Sequence, residues 1–287
     1  MSTPRASAWL DSLPRALAFC AAAALACWLT RPLAADMRED LARPPALPPS
    51  AYTAAAPARP GPPPLRVLFV GNSLTAYNRM PSTIAKLAAA AGEARPLAPN
   101  VLCPGGSHLS DHLKKDELKN RLARTRFDFV VLQNQGQVSG WTQSREQQML
   151  APGRALAALI AQNGARPLLY ETFARREGDF AEFHGDTYEA MQARVNQGYA
   201  ALGGEIGAAV VPVGRIWQET LRVHPTLRLW ALDGYHPSVA GSYLVACAFF
   251  SQLYGRSPVG NPHHAGLDPA DARTIQESVA RGLSLAR

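Results

Sequence analysis

Two short stretches of the sequence hold side chains that could perform a reaction together. Ser73 lies in the stretch GNSL (71–74), and Asp233 and His236 lie in the stretch DGYHP (233–237). A serine hydroxyl becomes a nucleophile when a base takes its proton, and an imidazole does so best when a carboxylate holds its other nitrogen. A separation of three residues lets Asp233 fold back onto Nδ1 of His236. The alternative is an ordinary helix-entry loop in which Asp233 or a neighbouring serine caps backbone N–H groups.

The serine follows a run of residues that is typical of a buried strand. Residues 66–70 are rich in β-branched and aromatic side chains without polar alternation, which favours a parallel strand covered on both faces. Gly71 permits a sharp turn, so Ser73 is predicted just beyond the carboxyl end of this strand. Open α/β sheets bind their ligands at that edge, although a simple strand-to-helix turn has the same pattern.

Strand-like and helical runs alternate along the rest of the chain. The predicted strands are 66–70, 97–102, 127–133, 166–171 and 209–213, and the predicted helices are 82–91, 109–123, 145–162 (with a kink or break at Pro152), 188–202 and 239–254. Regular strand–helix–strand succession implies parallel pairing through right-handed crossovers. The predicted fold class is therefore α/β, a three-layer sandwich around a parallel sheet.

Taken together, the two stretches resemble the first and last sequence blocks of the SGNH hydrolases, also called GDSL-like lipases and acylhydrolases. The resemblance spans residues 65–254 and implies a flavodoxin-like α/β/α sandwich with a Ser–Asp–His triad. By this resemblance Ser73 is the nucleophile, His236 the general base and Asp233 its orienting carboxylate, with no metal or organic cofactor. The sequence departs from the commonest motif at Asn72, where the family usually has aspartate.

The resemblance also implies an oxyanion hole formed by the Ser73 N–H, a glycine N–H after the second strand and an amide after the third. Gly106 matches the glycine. After the third strand the chain reads QNQGQ (133–137) where Gly-x-Asn-Asp is expected, which resembles the carbohydrate O-acetylesterase branch. Gln135 is the favoured amide, and the alternatives are Gln137 and Asn134. These amides could instead satisfy backbone groups of the loop.

The amino-terminal region resembles an export signal. Arg5 and Arg15 precede an apolar run of 14 residues (16–29), which suits a signal peptide and is shorter than the ~18 residues of a membrane span. We predict a signal peptide or uncleaved signal anchor over 1–35, a Pro/Ala-rich linker over 36–64 and the hydrolase domain over 65–287. The protein is then periplasmic or secreted, with membrane contact only through this segment.

Composition excludes several other classes of function. The 287 residues carry a net charge of +7, but the basic residues are scattered and match no nucleic-acid-binding motif, so no nucleic-acid partner is expected. Cys103 and Cys247 are predicted to be free thiols, and no zinc ligand set is present. The six histidines other than His236 are predicted to be solvated surface residues: His108, His112, His184, His224, His263 and His264.

The predicted function is an exported serine esterase that removes short acyl groups, notably acetyl, from a glycan. Export, the polar loop at 133–137 and the resemblance to carbohydrate esterases favour this substrate. Residues 170–173 are expected to line the site, and Trp141, Trp217 and Trp230 either flank the substrate or pack internally. Two alternatives remain: a polysaccharide O-acetyltransferase that uses the same triad, and a glycan-binding protein without catalytic activity.

Overall fold

The computed structural model describes residues 61–285 of the chain. The predicted signal segment and nearly all of the predicted linker (36–64) lie outside the described residues. Within the described part, no helix combines the length and the apolar character that a membrane crossing requires.

Five parallel strands form the sheet at the centre of the fold. They are β1 (Leu65–Val70), β2 (Leu97–Leu102), β3 (Phe129–Leu132), β4 (Arg166–Tyr170) and β5 (Ala209–Val211), and their order across the sheet is β2-β1-β3-β4-β5. Each neighbouring pair is parallel. This is the strand order of flavodoxin-like sheets, whose switch point between β1 and β3 opens a crevice at the carboxyl edge. The predicted fold class is confirmed.

Helices cover both faces of the sheet. They are α1 (Ser73–Ala76), α2 (Met80–Ala90), α3 (Leu109–Lys114), α4 (Asp116–Arg124), α5 (Gly136–Ser139), α6 (Ala151–Asn163), α7 (Tyr188–Ile206), α8 (Val213–Val223), α9 (Val239–Tyr254) and α10 (Pro269–Leu285). A 3₁₀ turn (Tyr77–Arg79) precedes α2, and a π-helical turn (Glu146–Leu150) precedes α6.

Alternate residues of β1 enter opposite halves of the core. Val67 and Phe69 pack with buried residues of α2, α8, α9 and α10, whereas Leu68 and Val70 pack with residues of α3, α4, α6 and α7. Side chains of a strand point to its two faces in turn, so a strand covered on both sides needs an unbroken apolar run. This burial explains the run that ends at Gly71.

The helices differ from the prediction in three places. The single helix predicted over 109–123 is two helices, because Lys115 has an extended backbone (φ −91°, ψ 140°). The segment around Pro152 is helical from Arg145 through Asn163, and Pro152 lies just after the π-helical turn of this segment, so it alters the helix without breaking it. Helices α8 and α10 were not predicted, although Asp268 next to Pro269 is a recognisable start signal for α10.

A glycine in α9 makes a testable contact with the loop before it. A Cβ at Gly241 would lie 2.1 Å from the carbonyl oxygen of Leu229 and 2.5 Å from the Trp217 ring. Since the backbone must move to admit it, Gly241→Ala is expected to lower the free energy of unfolding by about 1–3 kcal/mol in urea titration.

Gly204 in α7 provides the matched control, because nothing lies within 4 Å of the position that a Cβ would take there. Gly204→Ala is expected to stabilise the protein by up to about 1 kcal/mol, since alanine favours a helix interior. Equal unfolding midpoints for the two variants would contradict this account of Gly241.

Candidate active site

Ser73, His236 and Asp233 form one hydrogen-bonded row at the carboxyl edge of the sheet. The Ser73 Oγ lies 3.0 Å from the His236 Nε2, and the His236 Nδ1 lies 2.6 Å from the Asp233 Oδ2. The carboxylate accepts the Nδ1 proton, which leaves Nε2 as the acceptor for the serine hydroxyl. The structure thus brings together residues separated by 163 positions in the chain. A row in this order can move the serine proton to the imidazole.

The turn after β1 is built around Gln133, which follows β3. Its Oε1 accepts hydrogen bonds from the Asn72 N–H (2.9 Å) and the Thr75 hydroxyl (2.9 Å). A Cβ at Gly71 would lie 2.4 Å from the same oxygen. The close approach between the turn and Gln133 therefore requires a glycine at position 71. This approach holds the turn in place and so fixes the position of Ser73, the first residue of α1.

Asn72 connects the nucleophile turn to the loop after β2. Its Oδ1 accepts a hydrogen bond from the Leu74 N–H (3.1 Å) and caps α1, while its Nδ2 donates to the Ser107 carbonyl (2.9 Å). An aspartate here would make the cap but has no N–H to donate. Asparagine at this position therefore replaces the commoner aspartate with an added bond to the neighbouring loop.

His112 supports the same turn, contrary to the prediction that it is a solvated surface residue. Its side chain is buried, and its Nε2 lies 2.8 Å from the Gly71 carbonyl oxygen. Burial lowers the pKa of His112, and the neutral ring donates its Nε2 proton to that carbonyl. The other five predicted surface histidines are half-buried or exposed.

The base and its carboxylate lie in residues 229–238, which we call the His236 loop. Trp230 and Pro237 form an antiparallel bridge, and the Ser238 N–H donates to the Leu229 carbonyl (2.8 Å), so the two ends of the loop are paired. Ser238 then caps α9 through a hydrogen bond from the Gly241 N–H (3.0 Å). The loop is thus anchored to a helix that is buried from Gly241 to Ser251.

Hydrogen bonds stabilise the ionised form of the Asp233 carboxyl. Burial tends to raise its pKa, but bonds from the His236 ring and from the backbone N–H groups of Tyr235 and His236 lower it to about 2. Both backbone bonds are 2.9 Å long and reach Oδ1, which leaves Oδ2 for the imidazole. The carboxylate therefore orients the ring and stays charged at neutral pH.

Two aromatic rings, which the sequence did not single out, flank His236. The Tyr77 ring stacks on the imidazole with centroids 4.6 Å apart, and the Tyr235 ring meets its edge at 4.7 Å. Tyr77 follows Ser73 by four residues, and this closeness was the available signal. The two rings restrict rotation of the imidazole.

Two backbone N–H groups at the site are available as donors. Within residues 61–285, neither the Ser73 N–H nor the Gly106 N–H donates to a protein acceptor. Gly106 adopts a positive φ of 70°, which favours glycine, and the next residue, Ser107, is tied to Asn72. Both N–H groups therefore have no protein acceptor in the described part of the chain, which is the state that the predicted oxyanion donors require.

The amides after β3 differ in what already occupies them. Asn134 is fully buried, with its Oδ1 bonded to the Leu109 N–H (3.1 Å) and its Nδ2 to the Gln148 carbonyl (3.2 Å). Gln137 donates to the Asp179 carboxylate (2.8 Å) and accepts from Arg175 (2.6 Å). Both side chains thus have structural partners.

Gln135 is the least engaged of the three. Its Oε1 caps α5 by accepting from the Val138 N–H, while its Nε2 makes a long 3.3 Å contact with Gln137, and its side chain also meets the Tyr235 hydroxyl. A Cβ at the adjacent Gly136 would lie 3.3 Å from Leu74 and 3.8 Å from Tyr235. This segment therefore lies between the serine turn and the His236 loop.

Substitutions at Gln135 and Asn134 distinguish a role in the reaction from a role in folding. Gln135→Ala is expected to lower kcat for ester hydrolysis by about 10²–10³-fold, the usual loss of one oxyanion donor. Asn134→Ala is expected instead to cost about 1–3 kcal/mol in unfolding free energy, because buried partners lose their bonds. Steady-state kinetics beside urea titration distinguishes the two, and a stable but inactive Asn134 variant would reverse the assignment.

Residues 170–173 do not line the site as expected, because all four are buried. Burial raises the pKa of the Glu171 carboxyl to about 7, with Arg215 3.3 Å away. Trp217 is fully buried against Phe173, with ring centroids 3.8 Å apart.

The other two tryptophans are half-buried. The Trp141 Nε1 donates to Asp179 (3.0 Å), and the Trp230 Nε1 donates to the Ala174 carbonyl (3.0 Å). Of the two roles left open for these rings, packing is the one that their contacts support.

The described residues contain no group of three or more His, Cys, Asp or Glu side chains placed to hold a metal ion. Cys103 and Cys247 are free thiols, as predicted. Burial raises the pKa of Cys103 to about 12 and that of Cys247 still higher. Neither thiol is therefore a candidate nucleophile at neutral pH.

Solved structures share this fold. A Slackia heliotrinireducens protein assigned to the SGNH hydrolases is 28% identical, with a TM-score of 0.56 over 66% of this chain and 99% of its own. A DUF4886 family protein from Bacteroides uniformis is 19% identical, with a TM-score of 0.67 over 78% of this chain and 96% of its own.

An acetyl xylan esterase, AlAXEase, is 14% identical, with a TM-score of 0.54 over 66% of this chain and 99% of its own. No protein-family model and no curated protein matches the sequence. The two similarities below 25% identity concern the fold alone. The resemblance to the SGNH hydrolases that the sequence indicated is confirmed by these structures.

Proposed function

This chain has the fold of the SGNH hydrolases, and from that premise we propose that it is a serine esterase. The observation that carries the proposal is the row formed by Ser73, His236 and Asp233, with contacts of 3.0 and 2.6 Å. The similar solved structures include an SGNH hydrolase and an acetyl xylan esterase, which supports chemistry on ester bonds.

The reaction follows from the row. Ser73 Oγ attacks the ester carbonyl carbon while its proton moves to His236 Nε2, and Asp233 stabilises the imidazolium that forms. The carbonyl oxygen becomes negatively charged and accepts hydrogen bonds from the Ser73 and Gly106 N–H groups and the Gln135 amide. His236 then gives the proton to the leaving alcohol, and a water molecule repeats the sequence on the acyl-serine.

We propose a short acyl group, notably acetyl, on a glycan as the substrate. The rim of the site is polar: it holds the amides of Gln135 and Gln137, the Arg175 guanidinium 4.8 Å from the Tyr235 ring, and the exposed Tyr77. Such groups hydrogen-bond and stack on sugars, whereas a long acyl chain needs an apolar channel.

The proposal extends to location. The charged and apolar segments within 1–35, followed by the Pro/Ala-rich stretch, support export to the periplasm or the medium, with or without a membrane anchor. Cell fractionation with a carboxyl-terminal tag tests this, and a protein found only in the cytosol would contradict it.

The experiment that tests the proposed reaction measures hydrolysis of p-nitrophenyl esters from acetate to decanoate by the purified protein. The expected result is turnover concentrated on acetate and propionate. A preference for decanoate would contradict the proposed acyl group but not the esterase. No turnover of any ester would contradict the esterase and favour a glycan-binding protein or an acetyltransferase.

A further inference from the structure

A cavity of about 520 Å³ lies next to the proposed catalytic row of Ser73, His236 and Asp233. Four basic side chains line it, Arg79, Lys86, His263 and His264, and none of its twelve lining residues is acidic. Its walls come from α2, the start of α9 and the connection before α10. A cavity with only basic charges is suited to an anionic ligand.

The positive charges in this cavity are close together and unpaired. Among residues 61–285, neither Arg79 nor Lys86 pairs with a carboxylate. Burial lowers the pKa of His263, and the charges of Lys86 and His264 lower it further, so this ring is neutral. Arg79 and Lys86 therefore supply the positive charge that would meet a bound anion.

Backbone strain is concentrated at the same place. Asn78, Arg79 and Ala265 have φ values of 49°, 54° and 53°, and in the described part of the chain no other residue except glycine has a positive φ. All three line the cavity. Strained backbone costs free energy and clusters at ligand sites. The fold thus holds an unfavourable conformation where the basic side chains meet.

The first turn of α2 forms part of this wall. No side chain caps the helix at Arg79, the Met80 N–H donates to the Tyr77 carbonyl, and Pro81 has no N–H. The remaining N–H groups of the turn belong to Ser82 and Thr83, which line the cavity. The amino terminus of a helix attracts anions through its free N–H groups and its dipole. It lies here among the basic side chains.

The facing wall is held rigidly. The His263 carbonyl accepts a hydrogen bond from the Tyr243 hydroxyl (2.8 Å), and the His263 N–H donates to Asn261 Oδ1 (3.0 Å). In the part of the chain that the structure covers, His263 Nε2 is buried without a hydrogen-bond partner. This ring therefore has an unused polar atom.

The cavity is joined to the catalytic base. Tyr77, which stacks on His236, directly precedes Asn78 in the cavity wall. Asn78 Nδ2 donates to the Pro237 carbonyl (3.0 Å) and to Ser242 Oγ (2.9 Å). A molecule long enough to occupy both places would present its ester to Ser73 and its charge to Arg79 and Lys86.

We propose that this cavity binds an oxyanion, a carboxylate or a phosphate group, carried by the glycan, so that the enzyme acts on esters of acidic glycans. The inference rests on the proposed function for the identity of the reacting site, whereas binding of the anion does not depend on catalysis.

Binding is tested by calorimetric titration of Ser73→Ala with glucuronate, glucose 6-phosphate and glucose. We expect at least one charged sugar to bind and glucose not to bind. Lys86→Gln in the same background should weaken that binding about tenfold, the effect of losing one charge-assisted hydrogen bond. Lys119→Gln on α4, under the opposite face of the sheet, is the control and should change nothing.

The outcomes are distinct. Binding of glucuronate alone identifies a uronate, and binding of the sugar phosphate alone identifies a phosphate substituent. Equal affinity in the Lys86 and Lys119 variants, or no binding of either charged sugar, would overturn the proposal. Binding that depends on Lys86 in a protein that turns over no ester would leave the anion site standing and refute the esterase.

Discussion

Ser73→Ala is expected to lower kcat for ester hydrolysis by about 10⁴–10⁶-fold, because the acyl-serine cannot form and only binding and oxyanion contacts remain. The hydroxyl makes a single 3.0 Å bond to His236, so the unfolding free energy should change by no more than about 1.5 kcal/mol. Single-turnover kinetics with an aryl acetate, measured beside urea titration, checks both statements.

Ser110→Ala is the matched control for the nucleophile. Ser110 is a half-buried serine in α3 that takes no part in the row of Ser73, His236 and Asp233, and its removal is expected to leave kcat within a factor of about 2 of the wild-type value. Retention of more than a few per cent of activity in Ser73→Ala would show that another group attacks the ester.

Asp233→Asn is expected to reduce kcat by about 10⁴-fold with little change in KM. An asparagine can donate to His236 Nδ1, which favours the ring tautomer with a proton on Nε2 and removes the acceptor for the Ser73 hydroxyl. The loss should not add to that of His236→Ala, because the two residues act as one unit. If the losses of Asp233→Asn and His236→Ala add up in the variant that carries both, Asp233 does not act through His236.

The pH dependence of stability gives a second test of Asp233. Its pKa of about 2 in the folded protein lies below the value of about 3.9 for a free aspartate. Because the pKa is lower in the folded state, the ionised carboxylate stabilises the folded protein at every pH above the unfolded-state pKa. This contribution to the free energy of unfolding disappears as the pH falls from about 4 towards 2. The stability difference between wild type and Asp233→Asn should therefore shrink over that interval and be constant above it.

Loss of activity at moderately acidic pH cannot then come from Asp233, which remains ionised there. Such a loss would have to come from another group of the active site.

The sequence predicted the parts of the fold that depend on local pattern. These parts are strand β1 and the exact bounds of β2 and α9. Each is buried on one or both sides, and such burial produces a pattern of apolar residues that can be recognised in the sequence. The row of Ser73, Asp233 and His236 was predictable because the two stretches that contain them together resemble the first and last sequence blocks of the SGNH hydrolases, although each stretch by itself is also typical of an ordinary turn. Lys115 interrupts a helical pattern without glycine or proline, so the break between α3 and α4 left no signal.

The remaining differences concern partners that are distant in sequence. Whether Gln137 is free to bind substrate depends on Asp179 and Arg175, roughly 40 positions away. His112 is a polar residue at a helix start, and only the packing of α3 against the Gly71 turn buries it. Glu171 was predicted at the end of a strand, where the following loop should be exposed at the site. In the structure α8 covers this position, so Glu171 is buried.

The nucleophile and the base belong to parts of the protein that should open at different rates. Ser73 begins a short helix that follows a strand buried from Val67 to Val70, whereas Asp233 and His236 lie in the His236 loop, which is closed by one backbone bridge and is partly exposed. Segments with few buried contacts open locally at lower free energy than the core. Amide hydrogens of the His236 loop should therefore exchange before those of β1, and heat should inactivate the enzyme while the sheet is still folded.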